Sequence, residues 1–273
     1  MDLAHLAVGV LRAAAPAEKI ALSLAAARAW RAGALAIGTA APPDRPARPE
    51  LPYLLAPRAV KRRRVTHGAA GRIALLHAVA HIELNAIDLA WDLVARFAAP
   101  GLPRAFFDDW VAVAEEEANH HALITNRLAE LGTRYGDLPA HDGMWDAALR
   151  TRHDLLARLA IVPLVLEARG LDVTPPMIAR LEAVGDTASA AVLQRIHDDE
   201  VGHVGIGLRW FEHIAATRGL EPLTAWQALV REHFRGFLKP PFNQPARERA
   251  GFAARFYLPL AEAAPHCRAS AAP

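Results

Sequence analysis

Apolar residues recur at three- and four-residue spacing along most of the chain, and strand-like alternation is scarce, so the pattern predicts helices. Four long helical stretches stand out, at about 71–97, 106–131, 144–169 and 187–218. Gly132, Gly170 and Gly219 follow three of them as expected stops, and Pro100-Gly101 follows the other. Pro163 lies inside the third stretch and predicts a kink. Shorter helices are expected as a pair within residues 1–38, then at about 175–184, 223–237 and 246–260. Pro42, Pro43, Pro46, Pro49, Pro52 and Pro57 rule out helix over 41–57 and predict an extended strap.

Composition agrees. Hydrophobic residues make up 53% and charged residues 22%, the balance of a globular chain with a sizeable core. The net charge of +2 gives no general drive toward nucleic acid, although Lys61-Arg62-Arg63-Arg64 forms a local basic run at the entry to the first long helix. Cys267 is the one cysteine, so a disulfide within the chain or a cysteine-rich metal site is excluded. No run of about 18 apolar residues is apparent, and the start lacks the basic region of a signal peptide. These features predict a cytoplasmic protein without a membrane partner.

The candidate chemistry lies in two short motifs, Glu117-Ala118-Asn119-His120 and Glu200-Val201-Gly202-His203. Residues three apart share one face of a helix, so each carboxylate and imidazole can grip one ion together. Each motif follows a helix bearing a Glu in apolar surroundings: Glu83 precedes Glu117 by 34 residues, and Glu167 precedes Glu200 by 33. The repeat gives six candidate ligands, Glu83, Glu117, His120, Glu167, Glu200 and His203. This is the plan of a carboxylate-bridged two-metal site in a four-helix bundle. Four carboxylates balance two divalent ions; without them, like charges in a bundle core would repel.

Adjacent residues leave the register open. Glu116 with His120, or Glu117 with His121, would also share a face, although Glu117 with His120 matches the spacing of Glu200 with His203. Glu116 and Asp199 precede the two motif glutamates and are candidates to accept a ring N–H from a ligand histidine. His197, one turn before Glu200, is a candidate pocket-lining donor or additional ligand. His77, His81, Asn85 and Asp88 form a separate stripe set well round from Glu83, better read as an ordinary polar contact surface or a core hydrogen-bond network than as ligands.

At these residues the chain resembles the ferritin-like superfamily of di-iron carboxylate proteins, and more closely an uncharacterised bacterial family within it. The stretches that carry the resemblance are 77–84, 165–175, Asp199–His203 and Leu238–Asn243. The resemblance implies an all-α, ferritin-like four-helix bundle over 66–218. N-terminal helices and the strap (1–65) and a C-terminal helical extension (219–273) would complete the chain. It also implies two metal ions, iron foremost with manganese and zinc as alternatives. A distant similarity to a tRNA-modifying di-iron hydroxylase suggests an O₂-dependent oxidoreductase acting on a small molecule or tRNA, with an undefined electron donor; a homodimer is one candidate assembly. The alternative is an iron-binding ferroxidase without an organic substrate. A sulfurtransferase reading has no support, because Cys267 lies six residues from the end of the sequence.

Overall fold

The computed structural model describes residues 1–56, 59–60, 68–99 and 101–262. The Lys61–Arg64 run and Cys267 lie outside them. The described residues are all-α, with eleven helices and a single isolated bridge between Leu54 and Ala140.

The chain divides into two units, the first comprising the described residues of Met1–Leu149 with Ile178–Val192. It holds α1 (Leu3–Arg12), α2 (Pro16–Arg31), α3 (Ala69–Arg96) and α4 (Arg104–Glu130). The side chain of Asp2 caps α1 by accepting from the His5 backbone, and Pro16 starts α2. The long α3 and α4 pack along each other, α1 lies on α3, and α2 on α4. Buried hydrogen bonds fix this packing: Trp91 donates to Ser23 (2.7 Å), and Ser23 donates to the Ala114 carbonyl (3.1 Å).

The proline-rich segment is extended, as expected, and crosses these helices. Arg48 bonds Asp88 and Asn85, the Trp145 indole donates to the Asp44 carbonyl, and Ala140 pairs with Tyr53 and Leu55. The start of α8 (Thr187–Thr217) is anchored in the same unit, where Asp186 accepts from Arg127 and Arg72.

By length and composition α3 passes as a membrane span, which the sequence reading did not anticipate. Most of its apolar window is buried inside the protein, as befits a core helix.

The second unit comprises Arg150–Met177 and the described residues from Leu193 onward. The expected helix at 144–169, which begins in the first unit, is replaced by several pieces. α5 (Gly143–Arg150) stops, and Asp154 accepts from the Leu156 and Ala157 backbones to start α6 (Leu155–Ile161). Pro163 then falls in a π-helical turn, Val162–Glu167, rather than a simple kink. Gly170 is no stop, because α7 (Ala168–Ala183) runs on through Pro175 and Pro176 and absorbs the short helix expected at 175–184.

Pro175 has no N–H for the Leu171 carbonyl, and the Asn243 side-chain amide takes that carbonyl instead (3.0 Å). Arg247 adds a two-pronged bond to Asp172 and a third to the Ala168 carbonyl. Two of the stretches that carried the family resemblance, 165–175 and 238–243, therefore meet. α9 (Pro222–His233), α10 (Gln244–Arg249) and α11 (Ala254–Glu262) complete the unit. Trp226 of α9 reaches the Ala160 carbonyl and packs edge-on to Phe252 and Phe256.

Candidate metal centre

α3 is a core helix buried on most of its surface, α4 packs along it, and their facing sides also carry charge. Glu83 is 3% exposed, Glu117 0% and His120 1%. His120 Nδ1 lies 3.3 Å from Glu83 Oε2 and 3.4 Å from Glu117 Oε2. Burial works against a charge on His120, yet the hydrogen bonds and negative charge of Glu117 and Glu83 overcome it and raise its pKa to about 11. The trio is thus a place where positive charge is strongly favoured.

With Glu200 these residues form a group of four, each offering one ligand atom, all within 4.8 Å of one another. Three carboxylates and an imidazole, largely withdrawn from water, suit a divalent cation of iron, manganese or zinc type.

In the second unit, Glu167 closes the π-helical turn and is 8% exposed. Glu200 and His203 project from neighbouring turns of α8, with His203 Nδ1 3.6 Å from Glu200 Oε2. Their contact has the same i, i+3 form as that of Glu117 and His120.

The open register also has an answer in the geometry. Glu117 and His120 face Glu83, whereas the His121 ring stands edge-on to Tyr135, centroids 5.3 Å apart. Glu116 is exposed.

A family model described as a protein of unknown function, DUF455, matches residues 12–258. The chain belongs to the DUF455 family. It is 41% identical over 209 residues to an uncharacterized protein of Haemophilus influenzae, a match spanning 75% of this chain and 72% of that one. No solved structure matches it.

The remaining candidates of this DUF455 protein separate clearly. Asp199 is partly buried and accepts from Arg195 on its own helix (2.7 Å). His197 is 6% exposed, and neither of its ring nitrogens has a hydrogen-bond partner.

Of the two readings open for the stripe on α3, a polar surface or a core hydrogen-bond network, the structure shows the network. His77 Nε2 accepts from the Gly136 and Leu138 backbones. His81 Nε2 lies 3.0 Å from the His141 carbonyl and must donate to it, so Nδ1 accepts from the Tyr135 hydroxyl at 2.7 Å. Burial lowers the His81 pKa to about 4, which keeps that tautomer neutral. Tyr135 escaped the sequence reading. It is one of three tyrosines, set in the polar turn Thr133–Asp137, and only its contacts with His77, His81 and His121 reveal its importance.

Proposed function

We propose that this DUF455 protein is a two-metal oxidoreductase of the ferritin-like kind, with iron the metal best suited to its ligands. The observation that carries the reading is the buried group of Glu83, Glu117, His120 and Glu200, whose donor atoms lie within 4.8 Å of one another. Glu83, Glu117, His120 and Glu200 would hold one ion, and Glu167 and His203, together with the motif glutamates, a second. Two iron ions bound there would supply Lewis acidity and one-electron redox chemistry toward O₂.

The chain's own contribution is charge, position and dryness. The carboxylates neutralise divalent ions, and the imidazoles fix one nitrogen on each. His120, whose protonated form Glu83 and Glu117 favour, would have to release that proton to serve as a ligand. The apolar flanks of α3 and of the π-helical turn would keep bulk water from the ligands they carry. The substrate class is a small molecule or tRNA, and the Lys61–Arg64 run that could contact phosphate lies outside the described residues.

The test is metal analysis of the purified protein, followed by O₂ uptake by the reduced form. About two metals per chain are expected, and Glu117→Ala should lose most of them. Fewer than about one per chain, unchanged by Glu117→Ala, would refute the site. O₂ uptake that ceases once the bound iron is oxidised, whatever organic substrates are supplied, would support the ferroxidase alternative.

A further inference from the structure

His197 has unmet bonding capacity. It sits on α8 one turn before Glu200 and two turns before His203. Positions 197, 200 and 203 step round the helix by about 60° each, so the three side chains share one arc of its surface. His197 and His203 are 6% and 1% exposed.

A neutral imidazole carries one N–H donor and one lone pair. Neither is used on His197. The nearby Asp198 carboxylate is 3.7 Å from Nδ1, beyond hydrogen-bond range, and points largely to solvent. Leaving such groups buried and unpaired carries their full desolvation cost. Other buried histidines avoid that cost: His77 accepts two backbone N–H groups, and His81 uses both nitrogens. His121 is also unpaired at both nitrogens, but it belongs to the Tyr135 cluster rather than to the ligand face of α4.

The internal repeat adds a second argument. An offset of 83 residues carries Glu117 onto Glu200 and His120 onto His203. The same offset pairs His197 with Ala114, a buried residue that can bind nothing. With His121 turned to Tyr135, the face that carries the motif ligands therefore has one imidazole more in the second half of the repeat than in the first.

We infer that His197 is a third imidazole ligand, bound to the metal that Glu200 and His203 hold, so that the two metal positions are chemically unequal. The inference rests on the two-metal reading above. An added nitrogen strengthens binding of iron or zinc relative to manganese at that position alone, following the affinity order of nitrogen donors.

The experiment compares the full-length wild type with His197→Ala and His197→Gln, each loaded anaerobically with ⁵⁷Fe(II). The readouts are iron titration and Mössbauer spectra, with circular dichroism to confirm the fold. Wild type should bind two irons with unequal affinity and show two distinct quadrupole doublets. Both variants should keep their helices, lose about tenfold or more in affinity at one position only, and show one doublet changed. Added imidazole should restore the doublet in His197→Ala, which a purely structural role for the ring would not permit. Two irons bound by the variants with wild-type affinity and an unchanged spectrum would overturn the third ligand and leave the two-metal reading standing. A wild type that binds no iron overturns both.

Discussion

At the residue scale, this protein repeatedly buries charge and then specifies what faces it. The clearest case outside the metal site is Asp88, fully buried on α3, which accepts from Lys19 at 2.5 Å and from Arg48 of the strap. Burial pushes the Lys19 pKa down while Asp88 pulls it back up, so the ammonium is tolerated only because the carboxylate is there. The trio carries two positive charges and one negative. Removing Lys19 leaves a matched pair, whereas removing Asp88 leaves two cations facing each other. Lys19→Met should therefore change stability by less than about 1 kcal/mol, while Asp88→Leu should cost about 3–5 kcal/mol. Urea unfolding of the two variants checks this, and the argument fails if Lys19→Met proves the more damaging.

At the element scale, legibility followed local rules. The long helices α3, α4 and α8 were plain in the sequence because each keeps one uninterrupted apolar period and ends near a glycine or proline. The motifs on α4 and α8 were legible for the same reason, since fixed helical spacing is enough to put Glu117 beside His120. What was not legible depended on partners distant in sequence. Gly170 fails to stop α7 because Asn243 and Arg247 supply hydrogen bonds that no local pattern announces. Nor could the sequence say that Glu117 rather than Glu116 turns inward, a choice made by the packing of α4 on α3.

Gly207 is another such case. A Cβ there would lie 2.3 Å from the Pro163 Cβ, so the absent side chain lets the π-helical turn approach α8 in the stretch just beyond His203. Gly170, by contrast, has open space where its Cβ would be. Both are helical glycines, for which alanine alone should add about 1 kcal/mol of helix stability. Gly170→Ala should thus raise the melting temperature by roughly 2–4 °C. Gly207→Ala should lower it, because overpacking costs about 1–3 kcal/mol and outweighs the helical gain. Equal shifts in the two variants would show that Pro163 yields easily and that the close approach is not needed.

At the scale of the whole molecule, the proposed metal binding would make folding and binding one equilibrium. The candidate ligands come from stretches as far apart as Glu83 and His203, and an unfolded chain cannot hold them together. A metal that binds only the native state adds stability that grows with its free concentration, about 4 kcal/mol at a thousandfold excess over its dissociation constant. For a chain of this size that corresponds to a rise of roughly ten degrees in melting temperature. The same carboxylates repel one another when no cation faces them, so chelation should act in the opposite sense. The expected pattern has three parts. Anaerobic Fe(II) or Mn(II) raises the wild-type melting temperature, chelator returns it to the metal-free value, and Glu117→Ala responds to neither. Calorimetry on the same preparations checks it. A wild-type melting temperature indifferent to iron, manganese and zinc would mean that the buried acids are neutralised by protons and neighbouring side chains alone, and the two-metal reading would fall with it.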